Sequence, residues 1–420
     1  MKHIFAVVLI LIAWSAHARA SAEAWNVKGH SKYRYFYTHY DDDAWFSQLD
    51  AQDTSDHFLD IRLMADKRWG RWDASIHYQL TGLSSDTLKA ARSAPQSASL
   101  FAPGVISDKS RLFDLTHVFH DEDGRILLHR LDRLTLGYTG RSLVVRLGRQ
   151  AISWGNGLLY NPMDVFNPFA PDAVDKDYKT GDDLAYGQWL FASGDDVQTV
   201  IVPRRNRDTG KVEADYSSVA AKYHGFIAGK EYDVLAARHY GDNLLAAGAA
   251  MDWLGTVVRG DVLATHTGSH TVMSAVANIS YSWVWFEKNL SGFLEYFYNG
   301  FGQDTNDYSP EALAGNPQLV DRIQRGELYT LGKHYLGANV SLETTPLTLL
   351  NANLFVNAAD PSALFQLVYN VDWRQDLTVF GGFSVPMGSE GSEFGGIPSG
   401  TPGVYFSSGN AVFAQLAYYF

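Results

Sequence analysis

The chain of 420 residues contains no cysteine. Disulfides, thiolate metal sites and covalently attached haem are thereby removed from consideration. Long apolar runs are missing too. The one extended run, Ile4 to Trp14, covers eleven residues, well short of the ~20 that a helix needs to cross a hydrocarbon core. Positive charge is scarce, with 34 Lys and Arg against 46 Asp and Glu, which speaks against a nucleic-acid partner. Catalytic signatures are lacking as well: there is no Gly-x-Ser-x-Gly, no His-Glu-x-x-His and no phosphate-cradling Gly-rich loop. Asp-Asp pairs with distant histidines imitate the acid pairs of barrel proteases, but 14 histidines in such a chain make that coincidence cheap. Asp304 and Asn306 open like a calcium loop, yet position six is Ser309 and position twelve is Gly315, so that reading fails. No enzyme, no metal and no cofactor is expected.

What is present points elsewhere. Hydrophobic residues make up 46% and aromatic residues 14% of the chain, while the mean hydropathy is only −0.16. A membrane barrel reconciles these values, because each strand needs apolar residues only at alternate positions. The N-terminus agrees with export. Lys2 and His3 precede the apolar run, and Ala18-Arg19-Ala20 supplies the small-x-small pattern of a cleavage site. The expectation is a secretory leader over 1–20 and a single barrel domain over 21–420. Without Lys2 and Arg19 the mature chain carries 32 basic and 46 acidic residues, net −14.

Strands follow one another in period two. In Trp25 to Tyr37, Trp25, Val27, Tyr33, Tyr35 and Tyr37 share one face, and Lys28, His30, Lys32 and Arg34 the other. Phe58 to Arg68 places Leu59, Ile61, Leu63 and Ala65 outward and Asp60, Arg62, Asp66 and Arg68 inward. After Gly70, Trp72 to Leu80 faces out at even positions, opposite Arg71, Asp73, Ser75, His77 and Gln79. Further strands are expected near 128–139, 142–150, 184–193, 196–204, 217–227, 231–240, 243–253, 256–266, 271–284, 289–300, 333–343, 346–356, 361–374, 376–386 and 409–420, eighteen in all. Sixteen is the alternative, because 231–253 is ambiguous in phase.

Connection lengths support an all-β, antiparallel, up-and-down transmembrane barrel. Turns after even-numbered strands are short, while 38–57, 81–127, 151–183, 301–332 and 387–408 all follow odd-numbered strands. Short periplasmic turns and long outer loops are the pattern of such barrels. Arg111 to Phe119 also reads as a strand, and Asp121 to Gly124 as its turn. Counting it as spanning breaks the parity, so it is assigned to a hairpin rising from the second long loop.

A barrel of this width leaves a watery lumen unless loops fill it. The expected inward set is basic: Lys28, His30, Lys32, Arg34, Arg62, Arg71 and His77, then Arg133 and Arg146, with Arg149 at the start of a long loop. Two readings stand. A cationic ladder lowers the barrier for an anionic solute; alternatively, cross-strand pairing with Asp60, Asp66 and Asp73 leaves a wall that merely solvates the lumen. The loop 151–183 is the second candidate site. It is dense in Gly and Pro, holds Asp164, Asp172, Asp175, Asp177, Asp182 and Asp183, and carries Trp154, Leu158, Leu159, Tyr160, Met163, Val165, Phe166 and Phe169. So apolar a loop suits infolding, where Trp154 anchors it and its acids face the basic wall in a constriction. Asp41, Asp42, Asp43, Asp50, Asp53 and Asp56 in the first loop offer either a solvated face or sites for cations that bridge lipopolysaccharide.

Asn410 to Phe420 has one apolar face, Val412, Ala414, Leu416, Tyr418 and Phe420, with Phe413 as an apolar exception on the other. This ending, with Leu147-Gly148-Arg149-Gln150 leading to Trp154-Gly155, resembles porin-type outer-membrane barrels of Gram-negative bacteria, including eighteen-strand substrate-selective and alginate-export channels. The resemblance implies residence in the outer membrane among lipid and lipopolysaccharide, assembly by the barrel-assembly machinery through the strand ending in Phe420, and passage of small solutes. It places Arg149 and the loop after it near a constriction. A second class also fits the binary pattern: a barrel that sheathes a secreted or periplasmic protein partner such as a multihaem cytochrome.

Overall fold

The structure, a computed structural model, describes residues 25–93 and 107–420. The expected leader and the start of the mature chain lie outside the described residues.

The described chain forms β1 (Asn26–His39), β2 (Asp53–Trp69), β3 (Trp72–Ser85), β4 (Thr116–Glu122), β5 (Arg125–Thr139), β6 (Leu143–Gln150), β7 (Asp182–Leu190), β8 (Asp196–Val202), β9 (Ser218–Ile227), β10 (Lys230–His239), β11 (Asp242–Trp253), β12 (Thr256–His266), β13 (Thr271–Trp285), β14 (Lys288–Tyr298), β15 (His334–Thr345), β16 (Thr348–Asn357), β17 (Ser362–Arg374), β18 (Leu377–Met387), β19 (Ile397–Pro398), β20 (Tyr405–Phe406) and β21 (Asn410–Tyr419). Each barrel strand pairs antiparallel with the next. The sequence of pairs skips from β3 to β5 and from β18 to β21, and β21 closes on β1 from His30↔Tyr419 to His39↔Asn410. Setting aside β4, β19 and β20, eighteen strands close the barrel. The sixteen-strand alternative is therefore corrected, since 231–253 contains both β10 and β11.

Why that stretch hid its phase is now plain. Leu235, Leu244 and Ala246 are buried inside, while Val234 and Leu245 are exposed outside. With both faces apolar, alternation carries no signal. Elsewhere the outward rows are exposed and apolar, as at Ile201, Leu294 and Val412. Trp69, Trp72, Trp253, Trp285, Phe286 and Trp373 stand at the short-turn rim, also exposed. An apolar band edged by aromatic rings is the outer surface of a barrel that sits in a membrane.

Two irregularities shape the interior. The short strand β4 covers only the upper part of β5, from Glu122↔Arg125 to Thr116↔Arg130, whereas β6 takes the lower part, from Leu134↔Arg149 to Thr139↔Val144. The hairpin of the second long loop thus patches the wall above the short strands β6 to β8. A bulge then sits in β5, where His77 faces Arg133 and Tyr78 faces Leu131, leaving Asp132 as the extra residue. Phe413, the exception on the closing strand, packs inward with Phe380 and Val368 against Phe36 and Val174.

Candidate functional site

The connection between β6 and β7 lies inside the barrel. Ile152, Trp154, Met163 and Phe166 bury themselves against Leu184, Val200, Leu235, Leu244 and Leu263 of the inner wall. An apolar inner wall cannot face water cheaply, and this segment covers it. Polar anchors then fix the path. Trp154 donates its indole N–H to Gln198 on β8 at 2.8 Å. Asp261 on β12 accepts from the backbone and side chain of Asn156 at 2.6 and 2.7 Å. Glu295 on β14 accepts the backbone N–H groups of Leu158, Leu159 and Tyr160 at 2.6 to 2.9 Å. Three amides converging on one buried carboxylate make a strong, geometrically specific clamp.

Phe166 turns back to meet His239 on β10. From there the chain crosses the bore, and the carbonyl of Asp172 accepts from Gln366 on β17 at 3.1 Å. Asp175 then takes hydrogen bonds from Lys32 and Arg34 on β1 at 2.8 and 2.7 Å, and Asp177 takes one from Lys32 at 2.6 Å. Tyr178 donates to the Met64 sulfur on β2 at 3.2 Å and lies 4.3 Å from the Arg62 guanidinium. The carbonyl of Lys179 accepts from Arg133 on β5. This inner strap therefore touches the wall on both sides of the lumen and spans between them.

The basic residues fare differently from one another. His30 bonds Asp60 at 2.9 Å and His77 bonds Asp66 at 3.2 Å. Arg62, Arg130 and Arg133 all pair with the one carboxylate of Asp132. Arg149 is fully buried between Asp108 and Asp183, at 2.7 and 2.9 Å. Arg146 approaches Asp73 at only 3.9 Å. Lys28 is exposed and holds no ion pair with the described residues. Arg71 sits in the turn and donates to the Tyr138 hydroxyl at 3.2 Å, so it does not line the lumen. An open ladder along β1 is not what the geometry shows: the Lys32 and Arg34 charges are matched by acids that the strap brings to them.

The acids of 151–183 also divide. Asp182 and Asp183 belong to β7, not to the loop, and are buried against Arg204 and Arg149. Asp164 is enclosed with Lys179, 2.6 Å away; burial pushes its carboxyl up to about 6 even against that ammonium. None of these three faces open space, and nor does Trp154. Asp172, Lys176 and Asp177 are exposed residues of the strap within the bore, and desolvation inside the barrel raises the Asp172 carboxyl. Burial would also raise Asp175, but Lys32 and Arg34 hold it below the usual carboxylate range.

Other participants were not singled out from the sequence. Asp261 and Glu295 are inward acids on strands whose inner faces carry no other charge but Arg259, a local signal that was available. Asp108, Arg130, Asp132 and Arg204 did not stand out. Asp132 has Arg130 and Arg133 beside it and Asp108 has Arg111. The partners that bury them, however, Arg62 for Asp132, Arg149 for Asp108 and Asp182 for Arg204, lie 22 to 70 residues away. Glu393, from the loop before β21, bonds the Leu331 amide at 2.8 Å, the Asn357 side chain at 2.7 Å and the Tyr335 hydroxyl. Burial pushes its carboxyl up to about 7.

Two large cavities flank the strap. The long-loop side holds about 870 Å³, reaching Tyr160, Asp172, Tyr329, Phe394 and Glu393. The short-turn side holds about 690 Å³, lined by Lys67, Arg68, Arg133, Arg146 and His77 with Asp66 and Asp73.

No family model and no curated protein matches the chain. Solved structures do. OccAB4 of Acinetobacter baumannii superposes with a TM-score of 0.52 at 8% identity, covering 94% of this chain and 98% of that one. A BenF-like porin from Pseudomonas fluorescens gives 0.51 at 9%, covering 95% and 99%. Wzi of Escherichia coli, an outer-membrane protein involved in group 1 capsule assembly and described as a carbohydrate-binding β-barrel, gives 0.52 at 10%, covering 98% and 87%. At such identities the likeness concerns the fold, which is that of a porin-type outer-membrane barrel.

Proposed function

We propose that the protein is an outer-membrane channel for small hydrophilic solutes, with the strap as its constriction and with a preference for anions. The preference rests on the short-turn cavity, where the inward Arg68, Arg133 and Arg146 outnumber Asp66 and Asp73. Arg68 is exposed and holds no ion pair with the described residues, so its charge faces water and is felt over roughly a Debye length, ~8 Å at physiological salt. Around Asp132, three guanidiniums share one carboxylate, which adds positive potential from the wall. The ladder reading thus moves from Lys32 and Arg34 to the vestibule below the strap.

The proposal includes a leader over 1–20 removed on export, a mature domain over 21–420, contact with lipid and lipopolysaccharide, and delivery to the barrel-assembly machinery by the strand ending in Phe420. It includes no catalysis. The alternative of a sheath for a multihaem cytochrome or another protein finds no support, because the strap crosses the bore that such a partner needs.

Planar-bilayer recording under a salt gradient tests the preference. The reversal potential should report anions as the more permeant ions. Arg68→Glu with Arg146→Glu should shift it toward cations, while Lys32→Glu should change it little beyond loosening the strap. A cation-selective wild type, or a double variant with unaltered reversal potential, contradicts the assignment.

A further inference from the structure

We infer that the long-loop cavity is a saccharide-binding site, read through hydroxyl groups and sugar-ring faces and not through net charge. Its volume, about 870 Å³, lies in the range that encloses a drug-sized ligand. At its throat stands Tyr329. This ring is 47% exposed although it lies inside the barrel, and its hydroxyl is tied to the Pro168 carbonyl of the strap at 3.1 Å. Tyr329 also lines the smaller cavity of about 250 Å³ that reaches Tyr178 and Thr180. A fixed, wetted aromatic face at a junction between two cavities is a platform for the C–H face of a pyranose, because the ring is apolar and its rim can still hydrogen-bond.

Planar polar groups surround that platform. Asp172 is exposed toward the cavity and forms no ion pair with the described residues, and Gln324 contributes an exposed carboxamide. Glu393, whose oxygens already accept from Leu331, Asn357 and Tyr335, stands behind them in the wall. Carboxylates and carboxamides offer two acceptor or donor atoms in one plane, the arrangement that meets adjacent sugar hydroxyls. Arg207 also lines the cavity, whereas Arg325 there is already paired with Glu327 at 2.7 Å, so one base stands against the two acids. An anion gains little there from charge, and a hydroxyl-rich ligand gains hydrogen bonds.

An independent feature lies on the same side. Along β15 to β17 the inward residues are Gly337, Asn339 and Ser341, then Asn351, Asn353 and Phe355, then Leu364, Gln366 and Val368. No Lys, Arg, Asp or Glu interrupts them before Glu343 and Asp372 at the short-turn ends of these rows. Asn339 bonds Asn353 at 2.8 Å, Ser341 bonds Asn351 at 2.6 Å and Asn353 bonds Gln366 at 3.2 Å. This amide ladder begins where the cavity floor of Phe355 and Leu364 ends and continues past the level at which Gln366 holds the strap. It gives a saccharide leaving the cavity an uncharged, hydrogen-bonding wall.

The test uses the full-length protein purified in detergent, so it does not require ion flow and its outcome is separable from that of the channel proposal. An array of neutral and acidic oligosaccharides, followed by calorimetric titration with the best binder and with maltotriose, should give saturable binding. Tyr329→Ala and Asp172→Asn should each weaken it by about tenfold or more, and because both side chains are exposed, heat-modifiable gel mobility should stay as in the wild type. Absence of binding across the array and up to about 10 mM maltotriose overturns the inference. Binding that both variants leave unchanged also overturns it, because the sugar then sits elsewhere. Binding restricted to acidic sugars, lost with Arg325→Gln but not with Tyr329→Ala, overturns the hydroxyl-and-ring reading.

Discussion

Glu295→Ala should raise single-channel conductance severalfold and expose the strap to protease, while the barrel itself stays folded. The Glu295 carboxylate is buried and accepts three consecutive backbone amides of the strap as well as the Asn278 side chain. Truncation removes charge-assisted bonds that contribute roughly 1.5–3 kcal/mol each and strands three amides at a cost of roughly 1–3 kcal/mol each. Nothing in the surrounding apolar contacts of Leu159 and Tyr160 replaces those acceptors. The first half of the strap then detaches from β14, and the bore widens where it was crossed. Glu295→Gln should have a smaller effect, since the amide oxygen still accepts two of the bonds. Chymotryptic cleavage after Leu158, Leu159 or Tyr160, read by mass spectrometry, checks the release independently of conductance.

Asp132→Ala should do the opposite: abolish the folded barrel. Asp132 is 2% exposed and is the shared partner of Arg62, Arg130 and Arg133. Removing one member of a buried ion pair costs roughly 3–5 kcal/mol, and here three guanidiniums lose their carboxylate together. Arg130 has no margin, because its Nε and Nη1 atoms already lack hydrogen-bond partners. Asp132→Asn should be nearly as damaging, since it keeps the shape and loses the charge. Adding Arg130→Met to Asp132→Asn should recover part of the folded yield by removing the most deeply stranded cation. Heat-modifiable mobility and outer-membrane yield measure all three variants, and a wild-type yield for Asp132→Ala would show that the cluster is held by other groups.

Much of the architecture was legible along the chain. Outward rows such as Leu59-x-Ile61-x-Leu63 repeat at every second residue because lipid lies on one side only, and Gly or short polar pairs mark the turns between them. The parity of loop lengths then separated the hairpin around β4 from the spanning strands. Legibility failed wherever the lumen ceased to be watery. On β10 and β11 the inner face is apolar because the strap covers it, so nothing in 231–253 alone reports that the face is internal. The same blindness affected charge. Lys32 and Arg34 look like an unopposed basic row until Asp175 and Asp177, more than a hundred residues later, are laid against them. Asp182 and Asp183 read as loop acids, yet they begin a strand and neutralise Arg204 and Arg149, partners with no local cue. Trp154 was recognisable as an anchor from its apolar neighbours, but its target on β8 was not.

Because the chain has no natural cysteine, the position of the constriction can be mapped with single introduced thiols. Asp172→Cys and Lys176→Cys place a thiol on the exposed side of the strap, and Asp164→Cys places one in its buried interior. During bilayer recording, a charged thiosulfonate reagent should lower the current in discrete steps at 172 and 176 and leave it unchanged at 164. Full modification at 172 and 176 with undiminished current would mean that ions bypass the strap, and would contradict its role as the constriction.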